Sequence, residues 1–85
     1  MADEIVQQAL VRSIQKAYDE WAGRHPSLAA VIDRISLTQR AVDSLRDSEK
    51  YLSAVQAYHE SKNEFELLEK LTALAGPVIQ VILGS

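Results

Sequence analysis

His59 begins the most polar segment of the chain, His59-Glu60-Ser61-Lys62-Asn63-Glu64, whose imidazole and carboxylates are of the types that bind metal ions. Residues three or four apart on a helix share one face, so part of this set would converge if the segment is helical. Metal sites usually need three or four convergent ligands, and no second histidine or thiolate lies nearby in the sequence. We therefore expect a solvated polar face here, with no bound metal and no other cofactor.

The other histidine, His25, directly precedes Pro26. A general base needs an acid or a nucleophile as its partner, and the residue pattern identifies neither. We expect His25 to cap a turn or to face water. Because we find no catalytic or phosphate-binding signature either, we expect no catalytic residues, no small-molecule substrate and no enzymatic activity.

Arginines are the residues of the chain best suited to contact nucleic acid, and all five lie in the first 46 residues. Arg24, Arg34, Arg40 and Arg46 form a weak basic edge around the second predicted helix, which leaves open a small helical transcriptional regulator as an alternative function. Nucleic-acid binders usually show a clear basic excess, whereas this small acidic chain has a formal net charge of −3. We therefore favour ordinary surface pairing of these arginines with neighbouring acids, and no nucleic-acid partner.

Composition indicates one small soluble globular domain, residues 1–85. Of its residues 47% are hydrophobic and 25% charged, and there is no cysteine to form a disulfide or a thiolate metal site. The acidic start Met1-Ala2-Asp3-Glu4 is unlike a secretion signal, and no uncharged run approaches the roughly 20 apolar residues that cross a bilayer. The sequence predicts a cytoplasmic protein without a membrane span.

The first helix is predicted over residues 3–22, with Asp3 as its N-cap and Gly23 as a left-handed C-terminal stop before Pro26. Its apolar stripe follows helical spacing and comprises Val6, Leu10, Ile14, Tyr18 and Trp21. The second helix is predicted over residues 27–46, capped by Ser27. Its core stripe is predicted to comprise Leu28, Val31, Ile32, Ile35, Val42 and Leu45.

The 49 residues from 27 to 75 contain neither glycine nor proline, so they could form one rod or a hairpin. The row Leu28, Ile35 and Val42 does not continue in phase, because the apolar row beyond residue 50 is Tyr51, Tyr58 and Phe65. This shift of two positions turns the stripe by about 200° on a continuous helix. We predict a break near residues 46–49, with Asp47 or Ser48 as N-cap, and a third helix over residues 48–75.

The polar centre of the third helix also matches a capping box, Ser61 to Glu64, which would start another helix there. The row from Tyr51 to Phe65 keeps its phase across this centre, so we favour one uninterrupted helix. Gly76-Pro77 is predicted to end it. The apolar residues that follow are predicted to form a short helix over residues 77–83, with a strand as the alternative suggested by their β-propensity.

The predicted fold is all-α, a small three- to four-helix bundle with antiparallel helical hairpins and a short apolar C-terminal helix. The C-terminal third carries more large apolar residues than so small a core can easily hide, and exposed apolar surface marks interfaces. We therefore expect a non-enzymatic interaction or assembly protein, an adapter or structural subunit, whose partner is a protein and which forms a homo-oligomer. The predicted partner interface comprises Leu67, Leu71, Leu74, Val78, Ile79, Val81, Ile82 and Leu83.

Overall fold

The computed structural model describes residues 2–83, with side chains from Glu4 onward, and these residues form helices joined by short turns. The predicted all-α class is confirmed. The helices are α1 (Ala2–Arg24), α2 (Pro26–Ala29), α3 (Arg34–Arg46), α4 (Glu49–Ser61) and α5 (Glu64–Leu83). The side chain of Asp3, the predicted N-cap, lies outside the described part of the chain.

Helix α1 carries the apolar stripe that its spacing predicts. Its five stripe residues, from Val6 to Trp21, are all at most 7% exposed. The helix is longer than predicted, however, and Gly23 lies within it, without the left-handed conformation that we expected. The stop comes at His25, immediately before Pro26, because proline restricts the residue before it to extended conformations and cannot donate the next helical hydrogen bond.

The predicted second helix, residues 27–46, is wrong as a single element. Pro26 begins the four-residue α2, whose N-cap is His25 and not Ser27, and the chain turns before α3 begins. The cause is Asp33: its Oδ1 accepts hydrogen bonds from the amides of Ile35 and Ser36, at 3.1 and 3.4 Å. Ser36 Oγ donates a further bond to Asp33 Oδ2 at 2.8 Å. This cap starts a new helix in a different phase.

The predicted break between residues 46 and 49 is confirmed. Asp47 ends α3 and Ser48 occupies the N-cap position of α4, although its side chain makes no capping hydrogen bond. The two helices are therefore joined by two residues that include no glycine.

The predicted third helix, residues 48–75, is wrong at both its centre and its end. It is interrupted at Lys62, which adopts the left-handed conformation with φ 58°. Asn63 then starts α5, since its Oδ1 accepts from the amide of Glu66 at 3.1 Å. The alternative, a new helix that starts in this polar segment, is therefore correct in its position, but the N-cap is Asn63 and not Ser61. At the other end α5 continues through Gly76-Pro77, so that residues 77–83 are its last turns and neither a separate helix nor a strand.

The core forms where α5 packs against α1 and α3. The core residues that α5 contributes recur every four positions and comprise Leu67, Leu71, Ala75 and Ile79. Arg34 of α3 contacts Asp19 of α1, and Arg46 contacts Gln7, so α3 runs opposite to α1. Ile5 and Ala9 near the start of α1 share a groove with Phe65 and Leu68 near the start of α5, so these two helices run in the same direction. The molecule measures 42 × 21 × 19 Å.

Candidate interaction surfaces

The structure divides the eight residues of the predicted interface into three groups. Leu67, Leu71 and Ile79 are at most 2% exposed and belong to the core of the chain itself, so a partner reaches them only if α5 leaves the core. Leu74, Val78, Ile82 and Leu83 are half-buried, and Val81 is 80% exposed. The surface that a partner can touch is therefore smaller than the predicted one.

The exposed side of α5 lies where α4 no longer covers it. Ser61, the last residue of α4, lies beside Asn63, and Lys50, the second residue of α4, lies beside Ala73 and Leu74. Helix α4 begins at Glu49, opposite about Ala75, so the last two turns of α5 extend past it. Leu74, Val78 and Val81 follow one another at i, i+4 and i+7, and so form one line on this uncovered side. We name these three residues the α5 stripe.

A second apolar surface lies at the turn between α2 and α3. Leu28 is 54% exposed, Val31 81% and Ile35 83%. We name these three residues the α2–α3 patch. Sequence reasoning placed them in the core, because their spacing fits a continuous helix that Asp33 interrupts. In the structure Leu37 and Ala41 take their place in the core of α3, with Val42 and Leu45 as predicted. Three side chains more than half exposed within eight residues make this the more exposed of the two surfaces.

Two grooves follow the contacts of α5 with its neighbours. Lys50 and Lys70 face each other across the groove between α4 and α5, above Ala54 and Leu74. Lys70 Nζ also pairs with Glu66 at 3.0 Å. Gln8 and Glu64 lie along the groove between α1 and α5. The first groove joins two helices of one hairpin, whereas the second joins helices from opposite ends of the sequence.

The arginines do not form a common basic face. Arg34 donates to Asp19 Oδ1 at 2.6 Å, and its guanidinium lies 5.1 Å from the ring centroid of Tyr18. Arg46 donates to Gln7. Both side chains therefore hold α3 against α1. Arg24 and Arg40 are exposed, at the C-terminal end of α1 and in the middle of α3.

The two histidines lie in different settings. His25 is half-buried, and its ring lies 4.9 Å from that of Trp21 with an interplanar angle of 30°. His59 is exposed on the last turn of α4, with its ring 5.9 Å from that of Tyr58. Among the side chains that the structure describes, from Glu4 to Leu83, no three His, Cys, Asp or Glu come together as a metal site.

Comparison with known proteins yields no relative: no family model matches the chain, and no curated protein or solved structure shows significant similarity to it. Within the described residues, no helix is both long enough and apolar enough to span a membrane. A functional proposal therefore rests on the surfaces of the chain itself.

Proposed function

We propose that this chain is a small non-enzymatic interaction or assembly protein that associates with further copies of itself. The observation that carries the proposal is the apolar surface left uncovered by the fold, at the α2–α3 patch and along the α5 stripe. Exposed apolar side chains that cluster are typical of interfaces, whereas scattered ones are not. The proposal keeps the predicted bundle of three to four helices with antiparallel hairpins as the scaffold, and a cytoplasmic location.

The area of these surfaces predicts weak association. Together they amount to roughly a few hundred Å² of apolar surface, against about 800 Å² per partner in a standard stable interface. Residues 71–83 of α5 contain no charge, so no acid or base of the α5 stripe has to be buried when two copies meet, whereas the exposed Asp33 and Arg34 lie beside the α2–α3 patch. We expect dissociation constants in about the micromolar to millimolar range.

Sedimentation equilibrium over a wide concentration range tests this proposal. Val81→Glu and Ile35→Glu place a charge in the α5 stripe and the α2–α3 patch, and each should raise the dissociation constant by about tenfold or more, because the charge loses water on association. The matched controls are Gln80→Glu and Gln39→Glu, which add the same charge at exposed positions beside the two surfaces.

Both controls should associate as the parent chain does, and circular dichroism should show all four variants folded. A parent chain that stays monomeric up to millimolar concentration would refute self-association. Point variants are a better test than removal of residues 76–85, because that removal also deletes Ile79 from the core and would destabilise the remaining fold.

The alternative, a DNA-binding regulator, gains no support from the positions of the arginines, since two of the four are engaged with α1. Absence of DNA binding at low salt would eliminate it, because phosphate contacts strengthen as salt is removed.

A further inference from the structure

We propose that two copies of this chain form a dimer by exchanging the α4–α5 hairpin, with the hinge at Asp47–Ser48 straightened so that α3 and α4 become one helix. The proposal rests on the self-association proposed above, and it adds the exchanged core to the exposed surfaces as a second contact between the two copies. In the exchanged dimer, α1–α3 of each copy pack against α4–α5 of the other. The partner is thus a second copy of this chain, and the exchanged surface is the core itself.

The hinge is one residue away from continuous helix. Asp47 already has helical dihedral angles, with φ −85° and ψ −4°, and only Ser48 is extended, with ψ 134°. The Ser48 amide donates to the Leu45 carbonyl at 3.0 Å, and the Ser48 carbonyl accepts from the Leu52 amide at 3.2 Å. Hydrogen bonding of helical type therefore reaches the hinge from both sides.

Straightening would also satisfy backbone groups that the bend leaves without helical partners. The first amides of a helix have no intrahelical acceptor, and Ser48 supplies no side-chain cap to α4. In a continuous helix over residues 34–61 these amides bond to carbonyls at the end of α3. A connection of two residues without glycine is the kind of short hinge that favours exchange between copies.

Opening the hinge breaks few contacts that the dimer does not restore. Helices α3 and α4 touch each other less than the other packed pairs do, whereas α5 packs most extensively on α1 and also on α3. These contacts join α5 to helices on the other side of the hinge in the sequence. In the exchanged dimer the same residues form them between the two copies. Domain swapping is a low-cost route to a dimer for this reason.

The positions of the apolar residues fit a straight α3–α4 helix that contributes to two hydrophobic cores, one in each lobe of the dimer. Leu45 of α3 and Ala54 of α4 are both buried and lie nine residues apart. At about 100° per residue they point in opposite directions on a straight helix. In the monomer the bend brings both to one core. In the dimer, a straight helix would present Leu45 to one lobe and Ala54 to the other.

Crosslinking with pairs of introduced cysteines tests the exchange, because the chain has no cysteine of its own. The test pair is Gln8→Cys with Glu64→Cys, which spans the groove between α1 and α5. The control pair is Lys50→Cys with Lys70→Cys, which spans the groove within the α4–α5 hairpin. All four positions are exposed. Each full-length variant is refolded at millimolar concentration, its dimer is isolated by gel filtration, and a short bismaleimide is added.

The proposal expects the test pair to link two chains and the control pair to link within one chain, as seen on a denaturing gel. Intramolecular links in both pairs of an isolated dimer would overturn the exchange while self-association stands. Intermolecular links in both pairs would also overturn it, since neighbouring surfaces then explain them. A chain that never dimerises overturns both proposals.

Substitution of the hinge residue gives a second readout. Ser48→Ala favours helix at the hinge and Ser48→Gly disfavours it, so the Ala variant should dimerise about thirtyfold more tightly, given two hinges per dimer. Equal dimerisation of the two variants would contradict a straightened hinge. A side-by-side dimer leaves the hinge bent, and would not respond in this way.

Discussion

Truncation of Leu71 to alanine tests the assignment of this residue to the core, although sequence reasoning placed it in a partner interface. Leu71 is fully buried in α5, and removing a buried leucine side chain costs about 2–5 kcal/mol. A chain of 85 residues has a total unfolding free energy of roughly 4–13 kcal/mol. The loss is therefore a large fraction of the whole, and about 3 kcal/mol would lower the Tm by roughly 12–24 °C.

The assay is urea denaturation followed by circular dichroism and by the fluorescence of Trp21, the single tryptophan, which is 2% exposed and therefore reports on core packing. The matched control is Leu52→Ala, the same change at a site 58% exposed, where we expect a loss of about 0.5 kcal/mol or less. Below the concentration at which the chain dimerises, the midpoint for Leu71→Ala should not depend on protein concentration. Equal effects of the two substitutions, or a loss that vanishes at low concentration, would refute the core assignment.

Two further predictions concern the turns. At Lys62, the glycine variant should be more stable than the alanine variant by about 1 kcal/mol, because a φ of 58° costs a residue with a Cβ about that much. Chemical denaturation should show the opposite order at Gln56 in α4, where the alanine variant should be the more stable. At Asp33, the hydrogen bond from the Ser36 hydroxyl, followed by that from the Ser36 amide, lowers the pKa of the carboxyl. Its stabilising effect is thus present above the unfolded-state pKa and is lost as pH falls through the lower folded-state pKa. The Asp33→Asn variant, which keeps an acceptor at the cap, should therefore lose less stability than the parent chain between pH 5 and pH 2, as measured by thermal unfolding. An identical pH profile for both proteins would contradict the role of Asp33.

Helix α1 was predictable because two independent signals agree. Its apolar residues repeat at steps of four and three, and Pro26 forbids continuation beyond the turn. The break at Asp47–Ser48 was predicted correctly without any glycine or proline, from a phase shift and a candidate N-cap, although three residues of the rows that defined the phase, Leu28, Ile35 and Phe65, are exposed. In both places the local pattern and the requirement to bury one face point to the same structure.

The α2–α3 patch was not predicted, because its apolar residues were assigned to one continuous helix although the Asp33 cap starts a new helix between them. Leu28, Val31 and Ile35 fit a stripe only if the helix is continuous, and Asp33 with Ser36 offers the backbone a new start between them. That signal is visible in the sequence, as is Asn63 three residues before Glu66. The left-handed conformation of Lys62 has no such signal, since lysine has no preference for it.

The passage of α5 through Pro77 shows why the alignment of Leu74, Val78 and Val81 on one helix could not be predicted, although all three residues belong to the predicted interface. A proline within a helix costs about 3 kcal/mol, which is the reason to expect an end at Gly76-Pro77. Burying Ile79 alone returns about 1.5–3 kcal/mol, and Val78, Ile82 and Leu83 are partly buried as well, so packing outweighs the proline. Pro77 is itself exposed, and the Ala73 carbonyl that loses its donor lies on an exposed residue of the helix. Because the helix continues, Leu74, Val78 and Val81 stay in one line beyond the start of α4. Had α5 ended at Ala75, Val78 and Val81 would not extend the line from Leu74, and the proposed interface would reduce to the α2–α3 patch.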